Sequence, residues 1–502
     1  MTIPFRGICV ASAALALFSH CAAADQESAA PKATASEPAA TEVAIPAATA
    51  PEAVVQESDD SGLSFNAGAD LRIRQEIMDH VPGNPYGGFR AFRFRESGYR
   101  NHIRFRPRVW AEVKGDAGSA GLWTLYGRLT DEFRWNSRPA NRTTAWPGEI
   151  VLDNLYIEGK GVFDGFLDLK VGRQDLLGLC GLRRILVDGT PGDGSRTLYT
   201  DMASVRFHVN ETSTLDVFGL YNFDSASDFR IGDDRHRLSS LSSRFPDGSG
   251  NQDDWGAGVV WGQNPTEWLE YQVFAITKRL RKTQSPQRSR RTDLLGVRVQ
   301  PRLSETVKAD FDLMYQRCGE WSGFAGINWK SSREGWKPTC GADYRYMSGK
   351  WDPMWGRDAI ESEMYLYGTH DGVGWWSNQH YLKLWGGVEF APRHKFTVST
   401  GPVFAADRDG IGGGNGRFKG LFSRAHYAFP VWTPAKDKGE RFEVYVHVIA
   451  ELFNPGDYYD TDKPGYFIRW QIDFSFSRVS DRALSRSGRR PASERRIAAG
   501  CR

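Results

Sequence analysis

From Leu63 onward, apolar and polar side chains alternate with a period of two over most of the chain. Leu63, Phe65, Ala67, Ala69, Leu71 and Ile73 interleave with Ser64, Asn66, Gly68, Asp70, Arg72 and Arg74. This is the pattern of a strand with one apolar and one polar face. Arg100 to Lys114 repeats it, opposing Ile103, Phe105, Val109, Ala111 and Val113 to Arg104, Arg106, Arg108 and Glu112. Leu122 to Trp135 sets Trp123, Leu125, Leu129 and Phe133 against Thr124, Tyr126, Arg128, Thr130, Glu132 and Arg134. Leu167 to Val171 alternates too, then gives way to a glycine-rich run holding Arg183, Arg184, Asp188, Asp193 and Arg196. The alternation resumes from Asp201 to Val209, so this stretch reads as a strand, a long charged loop and a returning strand.

Further strands are expected at about Leu215 to Asn222, Trp255 to Gly262, Trp268 to Lys278, Asp293 to Pro301, Val307 to Gln316 and Gly323 to Lys330. Thr339 to Met347, Tyr381 to Phe390, Phe396 to Ala405, Phe418 to Phe429, Arg441 to Phe453 and Tyr466 to Phe476 complete the set, giving about eighteen strands, an even number. Many exceed ten residues, against the five or six usual in soluble sheets. Connections alternate between tight turns, such as Gly115 to Gly121 and Ala391 to His394, and long stretches, such as His80 to Tyr99 and Gly349 to Asn378. A soluble sandwich has no reason for that regularity, whereas an outer-membrane barrel has short periplasmic turns and longer extracellular loops. The fold class expected is all-β, a transmembrane antiparallel barrel. Trp110, Trp123, Trp135, Trp255, Trp268, Trp385 and Trp470 fall near expected strand ends, where interfacial girdles sit.

Composition narrows the choice. Aromatic residues make up 13 % of the 502 and there are 53 glycines, high for a helical protein. Beyond the N-terminus no apolar run approaches the roughly 20 residues of a membrane helix. Met1 to Ala24 reads as an export signal, with Arg6, the apolar stretch Gly7 to Phe18 and Ala22-Ala23-Ala24 as cleavage site. Cys21 follows His20 in place of a small residue, so lipidation is not expected. Residues 25–62 hold eight acids against one lysine and almost no large apolar side chain, the composition of a disordered leader. Residues 63–476 form the expected barrel, and 477–502 an arginine-rich tail beyond an aromatic-ended last strand. Net charge is +3 overall, so the barrel itself is near neutral and any basic character depends on where its arginines point. Cys180, Cys318, Cys340 and Cys501 show no metal-ligand spacing. A Cys318–Cys340 bridge would join opposite barrel ends and is not expected.

Three separated motifs carry a resemblance. They are Val171-Gly172-Arg173-Gln174-Asp175 continued by Asp193-Gly194-Ser195-Arg196-Thr197 and Asp201, Gly349-Lys350-Trp351-Asp352-Pro353-Met354-Trp355, and Phe453-Asn454-Pro455-Gly456-Asp457-Tyr458-Tyr459. In this order they resemble the alginate export (AlgE-like) outer-membrane porin family across about Leu63 to Phe476. The resemblance implies an eighteen-stranded barrel that passes anionic polysaccharide or related solutes. This chain departs from that family's pattern in its loops and its tail.

If the polar faces point inward, Arg72, Arg74, Arg104, Arg106, Arg108, Arg128 and Arg134 line one wall of a pore. Arginine forks onto carboxylates and keeps its charge, which suits uronate chains, anionic oligosaccharides or small organic acids. Glu112, Glu132 and Asp70 on the same wall would hold the arginines extended. Arg183, Arg184 and Arg196 come from the glycine-rich loop, which is expected to fold inward with Asp188 and Asp193 as their counter-charges. Arg173 has apolar parity and is expected past a bend. The alternative is that these residues are salt-bridge ladders bracing a general or uncharged-sugar porin. No catalytic motif is present, the Ser204/His208 face is expected to be luminal, and no cofactor or metal is implied. The arginines alternate along strands, which gives nucleic-acid binding no support. The partners expected are the transported solute, outer-membrane lipid and the barrel assembly machinery, with room for a periplasmic one.

Overall fold

Alternating side chains on long strands have to bury one face and solvate the other, and here the sheet does so by closing on itself. The computed structural model describes residues 63–80, 99–138, 149–174, 179–182, 184–186, 200–222, 230–232, 254–280, 291–317, 319–333, 335–352, 354–355, 378–408, 413–432 and 440–479. The expected signal, the leader and most of the tail lie outside these. In order, the strands are β1 (Ser64–Asp79), β2 (Arg100–Asp116), β3 (Leu122–Thr130), β4 (Phe133–Arg138), β5 (Glu149–Gly161), β6 (Leu167–Gln174) and β7 (Thr200–Asn210). Then come β8 (Ser213–Asn222), β9 (Arg230–Gly232), β10 (Asp254–Thr266), β11 (Leu269–Leu280), β12 (Arg291–Pro301), β13 (Val307–Gln316) and β14 (Glu320–Lys330). The last are β15 (Lys337–Met347), β16 (Gln379–Ala391), β17 (His394–Phe404), β18 (Phe418–Trp432), β19 (Glu440–Pro455) and β20 (Gly465–Val479).

Neighbouring strands pair antiparallel, and β1 pairs with β20 from Asn66–Val479 to Asp79–Tyr466, which closes the barrel. β3 and β4 both pair with β2 and are halves of one strand, while β9 is a three-residue ribbon on the end of β5. Eighteen strands therefore circle the barrel. The break at Asp131-Glu132 faces Arg106-Pro107, because the ladder runs Phe105–Phe133 on one side and Arg108–Thr130 on the other. Proline has no N–H to donate, so its partner strand bulges there. The Pro107 carbonyl still accepts from the Asp131 N–H at 3.0 Å. β20 runs to Val479, three residues past Phe476, where the aromatic pattern ends.

The two faces differ as the parity requires. Val109, Leu125, Ile157, Val171, Val273, Leu295, Leu313, Ile327 and Ile468 stand exposed on the outside, and Arg72, Arg104, Asp153, Asp216, Lys278, Arg345 and Arg469 are buried inside. An apolar belt of this extent has no aqueous reason to exist and marks a lipid-facing surface. Trp135, Trp255 and Trp268 stand exposed at strand ends, but Trp385 sits within β16 and the Trp470 indole N–H donates to Gln75 at 2.8 Å. The long and short connections separate to opposite rims. An exception is the turn Arg317 to Gly319, which joins β13 to β14 on the long side with three residues.

Candidate functional site

The inward faces of β20, β1 and β2 carry a ladder of charge. In register across them lie Asp473–Arg72–Arg106, Gln471–Arg74–Arg104 and Arg469–Glu76–His102, with Asp70–Arg108 one step towards the short-turn rim. Arg72, Arg74, Arg104, Arg106 and Arg108 are only 1–5 % exposed. Charges held out of water need partners, and most have them. Arg72 Nε donates to Asp473 at 2.6 Å and Arg108 Nε to Asp70 at 2.7 Å. Glu76 collects Arg74 at 3.0 Å, His102 at 2.7 Å, Arg104 at 3.2 Å and Arg469 at 2.6 Å. Glu132 in the β3–β4 break takes Arg104 at 2.9 Å and Arg134 at 3.3 Å. On the next pair of strands Arg128 forks onto Asp153, which also accepts from Thr130 at 2.8 Å.

Arg106 is different. None of its three guanidinium nitrogens has a hydrogen-bond partner, although all three are buried. Arg72, its register partner, and Arg108, two residues on along β2, spend their Nε groups on Asp473 and Asp70. The ladder thus sets six arginines on β20, β1 and β2 against three carboxylates, Asp70, Glu76 and Asp473.

The far wall is built on another principle. The residues 179–186 that the structure describes and the stretch Ser348 to Trp355 fold into the lumen, where the Trp355 N–H donates to the Ile185 carbonyl at 3.0 Å. Cys180, Leu182, Ile185, Leu186, Trp351, Met354 and Trp355 pack on inward residues of β7 to β15, among them Phe218, Val260, Phe274, Ile276 and Met314. An apolar core therefore fills one side of the barrel. Polar latches hold it: Lys278 and Thr292 reach Asp352 at 3.2 and 3.0 Å, and Gln316 exchanges hydrogen bonds with the Asp352 backbone at 2.6 and 3.0 Å. Arg184 bridges Asp310 and Asp312 at 2.9 and 2.8 Å, with Arg298 and Arg345 on the same two carboxylates. Burial, with Asp216 beside it, pushes the Cys180 thiol up, so it acts as an apolar packing group. A second inward cluster, including Tyr381, Phe422, Phe453, Tyr458, Tyr459 and Phe467, closes the long-loop rim near β18 to β20.

The expected site residues distribute as follows. Arg72, Arg74, Arg104, Arg106, Arg108, Arg128, Arg134 and Glu132 share one inward wall. Arg184 lies inside but on the opposite wall, among aspartates. Arg183, Asp193 and Arg196, like Asp188, lie outside the described residues. Glu112 holds no arginine: it accepts from Asn66 at 2.8 Å and pairs with Lys114 at 3.0 Å, because it sits two rungs nearer the short-turn rim than Arg108. Arg173 is not past a bend but within β6, on the outward face, where Asp201 lies in register and neutralises it at 3.0 Å. Ser204 and His208 share the inward face of β7, and His208 meets Asp168 at 3.0 Å. The Cys318–Cys340 bridge, not expected from the sequence, involves Cys318, which lies outside the described residues. Sequence reasoning did not single out Glu76, His102, Asp153, Asp473 and Arg469 as members of the site. Their polar parity was the available signal, but only closure of β1 on β20 brings Asp473 and Arg469 beside the first strands.

A closed antiparallel cylinder, greasy outside and ionic within, has one natural setting. The chain is an outer-membrane β-barrel. No family model matches it, and no curated protein does; the alginate-export resemblance thus gains no support from either comparison. Among solved structures, it is similar to Pseudomonas aeruginosa OpdQ at 11 % identity, covering 83 % of this chain and 98 % of that one, with a TM-score of 0.49. A BenF-like porin from Pseudomonas fluorescens Pf-5 shows 10 % identity over 82 % of this chain and 98 % of its own, with a TM-score of 0.49. Acinetobacter baumannii OccAB2 shows 10 % identity over 82 % and 98 %, with a TM-score of 0.48.

Proposed function

We propose that this barrel is a passive outer-membrane channel for anionic solutes, with uronate-type poly- or oligosaccharides and small organic acids as its substrate class. One observation carries the reading: across the four rungs from Asp70–Arg108 to Arg469–Glu76–His102, six inward arginines face three inward carboxylates. Guanidinium groups keep their charge at any physiological pH and fork onto carboxylates, and rings of them favour anions over cations. Export of alginate, which the sequence motifs suggest, is one special case of this chemistry. No catalysis is proposed.

A second reading has its own support. Arg72, Arg108 and Arg128 each engage a carboxylate of the protein, as braces in a general or uncharged-sugar porin would. Planar-bilayer recordings separate the two. An anion channel gives a reversal potential of anion sign, block by uronate oligomers, and a shift towards zero in Arg106→Gln. Cation preference in the wild type, unchanged when Arg104, Arg106 and Arg108 are all made neutral, overturns the anion reading and leaves the fold intact.

A further inference from the structure

The outward face of the barrel should be apolar, yet at the long-loop ends of β11, β12 and β13 it carries three arginines side by side. Arg279 and Arg291 are direct register partners, with outward parity shared with Val273 and Leu295. Arg317 follows β13, and its side chain is 74 % exposed. Asp293 is the carboxylate among them, with Arg291 at 2.7 Å and Arg317 at 3.6 Å. Arg279 pairs with neither: its Nε is buried without a hydrogen-bond partner, and its guanidinium lies 5.4 Å from the Trp255 ring centroid. Trp255 and Trp321, both exposed, flank the cluster as interfacial aromatics do. The sequence between β11 and β12 adds Arg281, Lys282, Arg288 and Arg290 with no acid.

A positive cluster at headgroup depth on a lipid-facing wall is matched by anionic headgroups. Guanidinium groups fork onto phosphate as they do onto carboxylate. We infer that Arg279, Arg291 and Arg317 form a binding site for a phosphate-bearing lipid headgroup of the outer leaflet, with the acyl chains lying against the apolar belt below. The site is outside the barrel and independent of the channel reading, so either stands if the other fails.

The test reconstitutes the full chain in phosphatidylcholine nanodiscs and measures retention of diphosphoryl lipid A and of its dephosphorylated form. Wild type is expected to hold the diphosphorylated lipid on the order of tenfold more tightly, and R279Q/R291Q/R317Q to abolish the preference while still shifting on unheated gels as a folded barrel. Should the triple variant not fold, R317Q alone, at an exposed position, is expected to lower the preference severalfold. Equal retention of the two lipids by wild type overturns the site, as does an unchanged preference in the variants. Millimolar inorganic phosphate is expected not to displace the lipid. Full displacement by it would make the site one for free phosphate and overturn the lipid assignment. Bilayer selectivity of the triple variant is expected to equal wild type.

Discussion

At Arg106 and Glu76 the same ladder makes opposite demands on single side chains. Glu76 is the common acceptor for Arg74, His102, Arg104 and Arg469 and has no solvent access. Removing one partner from a buried ionic cluster leaves the others uncompensated, which costs about 3–5 kcal/mol. Glu76→Gln is therefore expected to lower the urea midpoint of the folded barrel clearly, read by loss of heat-modifiable gel mobility. Arg106 has no hydrogen bond to lose, so Arg106→Met removes a buried charge with little structural cost and is expected to leave that midpoint unchanged or raised. A wild-type-like midpoint in Glu76→Gln would contradict the ladder's geometry. A large drop in Arg106→Met would mean that Arg106 braces the wall through a group absent from the present contacts. The pair of variants thus separates an arginine the fold does not need from a carboxylate it does.

Among the elements, the inward segments occupy the lumen on the side of β7 to β15. Trp355 lies directly against Gly256 of β10, where a Cβ would collide with the indole. Only glycine lets the ring reach the wall, so Gly256→Val is expected to push Trp355 and the Asp352 latch off β10 to β12. Losing the packing of a buried Trp costs about 3–5 kcal/mol locally, enough to release the loop while the strands hold. The expected readout is a larger and noisier single-channel conductance, with Cys180 becoming reactive to maleimide. Unaltered conductance with Cys180 still protected would show that the loop does not restrict the channel. These segments also mark the limit of what the sequence discloses. Strand alternation is local and was legible, down to the inward parity of Arg72, Arg104 and Arg108. The loops obey no period, and nothing local says that Trp351 and Trp355 seek an apolar wall inside a cylinder. Arg173 misled for a related reason: its parity was right, but its neutralising partner Asp201 is 28 residues away and meets it only through the β6–β7 register. Glu112 misled because a shared polar face does not fix how far along it an arginine can reach.

For the molecule as a whole, the seam between β1 and β20 is what turns a sheet into a closed barrel. An open sheet would leave two rows of unpaired N–H and C=O groups in hydrocarbon, each costing several kcal/mol. The seam therefore has to run the full height of the wall, and it does so from Asp79–Tyr466 to Asn66–Val479. Its last rungs, Ser477–Gly68, Arg478–Ala67 and Asn66–Val479, lie beyond Phe476. The tail consequently divides in two: three residues that complete the seam and a basic remainder that lies outside the described residues. Truncation after Val479 is expected to keep heat-modifiable mobility and to raise the amount assembled in the outer membrane, since the strand end becomes the chain end for the assembly machinery. Truncation after Phe476 removes those three rungs near the periplasmic rim and is expected to lower the urea midpoint relative to the longer truncation. Reduced assembly in the Val479 truncation would mean that the basic remainder assists insertion. Equal midpoints in the two would place the end of the working seam at Phe476.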